Sequence, residues 1–249
     1  MATYVLVPGA WLGGWAWHDV AESLRDAGHE VFPVTLTGLG ERVHLGRAEV
    51  DLDTHIADVV NTILANDLDD VILAGHSYAG SVVTSVADRV SERLSRVVFV
   101  DSAPLPNGMA MADFYPPEAR ANMQETVDRF GDGWKLPFPG WEIVGAGASL
   151  AGISDEDLLL IEARAEPHPW GSYTQPLRLE HAEPQWQGTI IACNDIMGLA
   201  DAGVPEVTQF QQEPWQWIEL PTGHWPMFSA PDELAEILDA LAPDEVDAD

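Results

Sequence analysis

The sequence VILAGHSYAG at residues 71–80 decides the fold that we predict for this chain. Its apolar first half predicts a buried strand, and the small residues after Ser77 predict the start of a helix. A sharp strand-to-helix turn strains the backbone and brings helix and strand close together, so it needs neighbours without bulk. Gly75, Ala79 and Gly80 meet that need. We therefore predict that Ser77 is a nucleophile held on such a turn.

The match to the nucleophile pattern G-x-S-x-G is imperfect. Ala79 stands where the pattern has its second glycine, and Gly80 follows one place later. A pattern of five residues also fits an ordinary buried strand followed by a glycine-containing turn. The rest of the chain has to decide between these two interpretations.

Strands and helices alternate on both sides of this stretch. Apolar runs predict strands at 3–7, 30–36, 71–76, 96–100, 189–193 and 215–220, and helical spacing predicts helices between most of them. Such alternation is typical of an α/β fold, with a mostly parallel sheet flanked by helices. Ligands of these folds bind at the carboxyl ends of the strands, where Ser77 and Asp101 both fall.

The alternation lapses between residues 105 and 187, where prolines and tryptophans are frequent. A long irregular stretch in a compact domain is usually functional. We predict that residues 105–187 form an inserted, mostly helical cap, with its clearest helix at 155–165. Residues 1–104 and 188–249 then form the core of the fold.

Composition limits the class of protein. The 249 residues, 46% of them hydrophobic, suffice for one α/β domain with an insertion. The net charge of −30 disfavours nucleic acid and anionic membranes as partners, and it is compatible both with a salt-adapted protein and with an ordinary acidic surface. Since the chain starts without a basic segment and has no long apolar run, we predict a cytoplasmic protein without a membrane partner. Its oligomeric state is not indicated.

A serine hydroxyl needs a histidine to take its proton and a carboxylate to orient that histidine. The chain offers Ser77, Asp195 and His224 in that order, each just after a predicted strand. We predict these three as the catalytic residues. Asp101 is the alternative acid, because it follows the strand after the nucleophile helix and can also reach the histidine.

Three motifs resemble the α/β-hydrolase superfamily, and especially its branch of plant hydroxynitrile lyases, plant methyl-ester esterases and related bacterial esterases. They are LVPGAW at 6–11, GHSYAG at 75–80 and LPTGHWPM at 220–227. The resemblance implies an oxyanion hole formed by the backbone N–H groups of Ala10 and Tyr78. It also favours hydrolysis, because the lyases of this branch carry a threonine at the position of Gly9 and a lysine at that of Trp225.

We therefore predict an ester hydrolase that cleaves an uncharged, apolar or aromatic carboxylic ester or lactone through an acyl-enzyme. One alternative is a hydroxynitrile-lyase-like or other non-hydrolytic use of the same residues, and another is a small-molecule-binding protein with little turnover. Trp11, Trp225 and Met227 adjoin the predicted catalytic groups and are candidates for substrate binding. The histidines show no metal-ligand spacing and the reaction needs no cofactor, so we predict neither a metal nor a cofactor.

Overall fold

The computed structural model describes residues 1–181 and 185–243 of the chain. Its strands are β1 (Thr3–Val7), β2 (Glu30–Pro33), β3 (Val71–His76), β4 (Leu94–Val100), β5 (Lys135–Leu136), β6 (His168–Pro169), β7 (Gly188–Ala192) and β8 (Gln216–Glu219). Its α-helices are α1 (His18–Asp26), α2 (Leu52–Ala65), α3 (Ala79–Arg89), α4 (Pro117–Phe130), α5 (Trp141–Val144), α6 (Asp155–Arg164), α7 (Trp170–Thr174), α8 (Asn194–Asp201), α9 (Pro205–Thr208), α10 (Pro226–Ser229) and α11 (Pro231–Asp239).

A six-stranded sheet in the order β2-β1-β3-β4-β7-β8 forms the centre of the fold, and all its strand pairs are parallel. Val7 of β1 lies beside Gly75 of β3, and His76 lies beside Val100 of β4. The loops that leave β1, β3 and β4 therefore meet at one edge of the sheet. The predicted α/β fold with a mostly parallel, helix-flanked sheet is confirmed.

Strand β3 is buried on both faces, which explains its continuous apolar sequence. Val71 and Leu73 pack into the core under α2 and α3, while Ile72 and Ala74 pack into the core under α1 and α11. Successive side chains of a strand point to opposite faces, so one strand serves both cores. This double burial fixes the end of β3, and with it Ser77, in the middle of the sheet.

Small residues are required where β3 meets α3. A Cβ atom at Gly75 would lie 2.7 Å from Val83 Cγ1, and one at Gly80 would collide with the Oγ atom of Ser102. Ala79 is buried without such a conflict. The glycine that this turn needs on the helix side is therefore Gly80, which explains why the nucleophile pattern is shifted.

Two predicted elements differ in extent from the structure. The strand predicted at 30–36 ends at Pro33, although the Val34 N–H still donates to the Leu6 carbonyl of β1 at 2.9 Å. The sequence at 15–27 predicts a helix, whereas the α-helix begins at His18, after a 3₁₀ turn at Gly14–Trp17.

The stretch of chain at 105–187, called here the inserted segment, lies between β4 and β7. Its described part adds no strand to the six-stranded sheet and carries α4 to α7. The sequence did not predict its short antiparallel pair, in which Leu136 of β5 lies beside His168 of β6. A pair with two residues in each strand has no periodicity from which it can be recognised.

Candidate active site

Ser77 occupies a strained turn at the end of β3. Its φ of +52° lies in the left-handed region, which residues other than glycine rarely adopt. The Ser77 N–H donates to the Val100 carbonyl at 3.2 Å, and the Ser102 hydroxyl donates to the Ser77 carbonyl at 2.7 Å. These bonds hold the strained conformation, and the side chain stays partly exposed.

His224, in the loop after β8, lies against this serine. Its Nε2 atom is 2.9 Å from Ser77 Oγ, and in the neutral form of the ring this nitrogen accepts a hydrogen bond from the hydroxyl. The backbone of His224 is held on two sides, since its N–H donates to the Ser149 carbonyl at 2.8 Å and its carbonyl accepts from His76 Nε2 at 2.6 Å. His224 is therefore placed to take a proton from Ser77.

Two carboxylates approach the other ring nitrogen of His224. Oδ2 of Asp101 lies 2.6 Å from Nδ1, and Oδ2 of Asp195 lies 3.2 Å from the same atom. The Asp101 carboxylate is fully buried, whereas that of Asp195 is 25% exposed. The structure thus brings the predicted acid and its alternative to one nitrogen, with the shorter contact made by Asp101.

Each carboxylate is fixed through its second oxygen. Oδ1 of Asp101 accepts from the N–H groups of Cys193 and Ile196 at 3.0 and 3.1 Å, at the start of α8. Oδ1 of Asp195 accepts from the Ser149 N–H at 2.9 Å, so this carboxylate joins His224 to the inserted segment.

The carboxylates control the protonation of His224. Burial by itself would lower the pKa of the ring, but the hydrogen bonds and negative charges of Asp101 and Asp195 outweigh burial and raise the pKa to about 9. His76 shows the opposite balance, because burial and the nearby His224 hold its pKa well below the ordinary value. The His224 imidazole therefore accepts a proton readily, whereas the His76 imidazole stays neutral.

Ala10 and Tyr78 are the two residues predicted to form the oxyanion hole. Tyr78 follows the serine directly, and Ala10 lies in the loop after β1, which pairs with β3. Both residues are buried, and among the described residues nothing accepts a hydrogen bond from either N–H. Since buried backbone N–H groups are nearly always paired, these two are suited to binding a substrate oxygen.

Aromatic rings link the loop after β1 to the histidine. Trp11 contacts Phe138 with ring centroids 5.7 Å apart, Phe138 contacts Trp141 at 5.1 Å, and Trp141 contacts Trp225 at 5.5 Å. Trp225 lies edge-on to His224 at 4.7 Å. We name Trp11, Phe138, Trp141 and Trp225 the aromatic wall.

Of the aromatic wall, Trp11 and Trp225 are recognised from the sequence, whereas Phe138 and Trp141 are not. The abundance of aromatic residues in the inserted segment was the available signal, yet the folding of that segment decides which of them reach the site. Met227 is buried in the core under α1 and α11 and borders a surface depression with Trp15 and Phe228. Its part in substrate binding stays a prediction.

The groups around His224 are also the set that a metal ion would use. Ligating atoms of Asp101, Asp195 and His224 lie within 4.8 Å of one another. A cation held by all three would have to take the Nδ1 position of the ring, which here donates to a carboxylate while Nε2 faces the serine. The donor set therefore suits an oriented imidazole better than a metal centre, and the prediction of no metal stays a prediction.

Comparison with known proteins gives consistent matches. The model of the "Alpha/beta hydrolase family" matches residues 4–237. A carbendazim-hydrolysing esterase of Nocardioides is 35% identical over 97% of this chain and 100% of its own length, and Methylesterase 3 of Arabidopsis thaliana is 26% identical over 96% and 95%. An extracellular α/β-hydrolase of a Paenibacillus species superimposes with a TM-score of 0.81 at 24% identity, over 98% of this chain and 100% of that structure.

Proposed function

The chain belongs to the alpha/beta hydrolase family, and on that premise we propose that it is a serine esterase that cleaves uncharged, apolar or aromatic carboxylic esters or lactones. One observation carries the proposal. Ser77 Oγ, His224 and Asp101 form a continuous hydrogen-bonded series, with distances of 2.9 and 2.6 Å on the two sides of the imidazole. This is the arrangement that activates a serine hydroxyl for acyl transfer.

The proposed reaction has two stages. In the first, His224 Nε2 takes the proton of Ser77 as Oγ attacks the ester carbonyl carbon, and the N–H groups of Ala10 and Tyr78 stabilise the oxyanion. His224 then gives that proton to the leaving alcohol, which leaves the acyl group on Ser77. In the second stage, His224 deprotonates a water that attacks the acyl carbon, and the protonated histidine returns its proton to Ser77 as the acid departs.

We propose that Asp101 is the main acid of the site and that Asp195 supports it. Asp101 is supported by its shorter contact, its full burial and its two backbone hydrogen bonds. A buried carboxylate in this position keeps the proton on Nδ1 and stabilises the imidazolium that forms during the reaction. Asp195 adds a second negative charge at 3.2 Å.

The substrate class follows from the surroundings of Ser77. The aromatic wall offers apolar contacts, and the two carboxylates beside His224 disfavour an anionic substrate. Relatives named as a carbendazim-hydrolysing esterase and as methylesterases favour small esters. We propose that the inserted segment acts as a cap beside the substrate site, because it supplies Phe138 and Trp141.

A lyase reaction has less support. A Cβ atom at Gly9 would lie 2.6 Å from His76 Nδ1, so the threonine of the lyases does not fit this loop without displacing the ring. Directly after His224 stands the buried, uncharged Trp225. The site therefore lacks both features that distinguish the lyases.

We propose that the protein acts on small molecules in the cytoplasm. Within the described ranges, no helix combines the length and the apolar character needed to cross a bilayer. The cytoplasmic location and the absence of nucleic-acid and membrane partners stay predictions from the sequence.

Hydrolysis of short p-nitrophenyl and aromatic methyl esters by the wild type and by Ser77→Ala tests the proposal. We expect the wild type to be active and S77A to lose activity by about 10⁵-fold or more. A matched control is Ser95→Ala, whose hydroxyl bonds the Asp70 carbonyl at the opposite end of the sheet. Equal rates for S77A and the wild type would rule the proposal out, as would failure of a fluorophosphonate to label Ser77.

A further inference from the structure

The inserted segment holds Trp11 in a strained conformation. Trp11 has a φ of +64°, in the left-handed region, and lies directly after Ala10. Its N–H donates to His168 Nδ1 at 3.2 Å, its carbonyl accepts from the Glu166 N–H at 2.9 Å, and its indole N–H donates to the Leu136 carbonyl at 3.0 Å. All three partners belong to the inserted segment, and His168 and Leu136 are paired in its two-stranded sheet.

The hydrogen bonds of His168 identify the position of its proton. A backbone N–H can only donate, so Nδ1 of His168 accepts and carries no proton. The proton is therefore on Nε2, which donates to Ser172 Oγ at 2.9 Å, and this hydroxyl donates onward to the Pro169 carbonyl. Burial, and next to it the neighbouring His55, hold the pKa of His168 well below its ordinary value, so the ring is neutral as these bonds require.

The same imidazole packs against the other proposed oxyanion residue. The rings of His168 and Tyr78 meet at 4.5 Å with an interplanar angle of 72°. Tyr78 is fixed further by the hydrogen bond of its hydroxyl with His55 Nδ1 at 2.8 Å and by stacking on Tyr173 at 5.2 Å. His168 thus contacts the backbone N–H of Trp11, directly after Ala10, and the side chain of Tyr78.

We propose that His168 is a positioning residue that sets the spacing between the N–H groups of Ala10 and Tyr78. The proposal rests on the proposed function, which assigns these two groups to the oxyanion. The bond from the Trp11 N–H to a buried ring restrains the peptide between Ala10 and Trp11. The adjoining peptide, which carries the Ala10 N–H, shares the Ala10 Cα with it and is therefore restrained as well. A displacement of about 1 Å in such a donor is enough to cost up to about 100-fold in rate.

Two variants separate the roles of the two ring nitrogens. The amide of asparagine in His168→Asn reaches the position of Nδ1, so its oxygen still accepts from the Trp11 N–H. The amide of glutamine in His168→Gln reaches the position of Nε2, so it retains the contact with Ser172 and loses that with Trp11. We expect kcat for ester hydrolysis to fall about 10- to 100-fold in H168Q with KM within about twofold, and H168N to keep most of the activity.

The chain offers a matched control. His29 Nδ1 also accepts a backbone N–H, that of Ala2, at 3.0 Å, and its side chain is also largely buried. This residue lies on the other face of the sheet. We expect His29→Gln to leave kcat unchanged, and thermal unfolding of all three variants measures any loss of folded protein.

Two further measurements distinguish positioning from packing. Amide hydrogen exchange at Ala10 and Trp11 reports the loop directly, and we expect it to be faster in H168Q than in H168N or the wild type. A boronic acid forms a tetrahedral adduct on Ser77 with an oxygen in the oxyanion site. Its inhibition constant is expected to rise in H168Q in proportion to the fall in kcat/KM.

Unchanged exchange at Trp11 in H168Q would overturn the inference, as would equal losses of kcat in H168Q and H168N. If the wild type shows no Ser77-dependent hydrolysis, the proposed function fails, and the exchange experiment still decides whether His168 positions the loop. Faster exchange in H168Q together with the split between kcat and KM supports the inference.

Discussion

Oδ2 of Asp101 lies 2.6 Å from Nδ1 of His224, and this contact joins the loop after β4 to the loop after β8. It is the shorter of the two carboxylate contacts at that nitrogen. The first prediction follows from this difference. We expect Asp101→Asn to lower kcat/KM by about 100-fold or more, and Asp195→Asn to lower it by less than about tenfold.

Both substitutions keep the shape of the side chain, and in D101N the amide oxygen can still accept from Cys193 and Ile196. Steady-state hydrolysis of one ester by the two single variants and the double variant makes the measurement. A larger loss in D195N than in D101N would assign the main acid to Asp195.

The second prediction concerns pH. His224 acts as a base only in its neutral form, so kcat/KM is lost as the pH falls through the pKa of the ring. Because the carboxylates raise that pKa from its ordinary value toward about 9, we expect activity to increase into the alkaline range. Removing the charge of Asp101 lowers the pKa, so the acidic limb of the profile in D101N moves to lower pH. A limb that stays in place or moves to higher pH would contradict this account.

The third prediction concerns the close approach of Gly9 to His76. In Gly9→Ala the new Cβ atom would lie 2.6 Å from His76 Nδ1, and His76 in turn holds the His224 carbonyl. We expect a loss of roughly 1–3 kcal/mol of unfolding free energy together with a fall in kcat. Gly198→Ala is the control, since a Cβ there meets nothing within 4 Å and alanine favours its helix. Denaturant unfolding and ester hydrolysis measure both effects, and wild-type behaviour of G9A would disprove the steric conflict.

The fourth prediction tests the aromatic wall. Trp141→Ala removes the ring between Phe138 and Trp225. We therefore expect KM to rise for an ester of an aromatic acid and to change little for the acetyl ester of the same alcohol. Phe130→Ala serves as the control, because that ring belongs to the same inserted segment and is 65% exposed. Equal effects of W141A on both esters would show that the wall does not contact the acyl group.

The fifth prediction concerns the net charge of −30. Repulsion among acidic groups opposes the compact state. Salt weakens this repulsion, and at 0.1 M ionic strength exposed charges more than about 10 Å apart are largely screened from each other. If the surface is salt-adapted, the melting temperature rises continuously from low to molar salt. A melting temperature that does not rise would identify an ordinary acidic surface.

The sequence predicts those parts of the fold that local patterns encode. Residues 71–76 are apolar because β3 is buried on both faces, and Ser77 and His224 follow strands whose carboxyl ends meet at one edge. The short pair of β5 and β6 has no such pattern, because its pairing depends on how the inserted segment folds. His168 was therefore recognised only as a histidine without metal-ligand spacing.

The choice between Asp101 and Asp195 shows a different limit. Val100 and Ile191 are neighbours in the sheet, so both acids follow adjacent strand ends, and chain order cannot rank them. Their distances to His224 differ by fractions of an ångström. Asp101 also has a left-handed φ of +42°, a local conformation that nothing in the sequence signals.

The loop that carries His224 is bound to the inserted segment through main-chain atoms. The N–H groups of Gly223 and His224 donate to the carbonyls of Ala151 and Ser149, and a Cβ at Gly223 would lie 2.5 Å from the first of these oxygens. Carbonyl oxygens are present whatever side chain a residue has. Substitutions at positions 149 and 151 therefore retain both acceptors, so the sequence of this stretch can vary while the main-chain hydrogen bonds that hold the base persist.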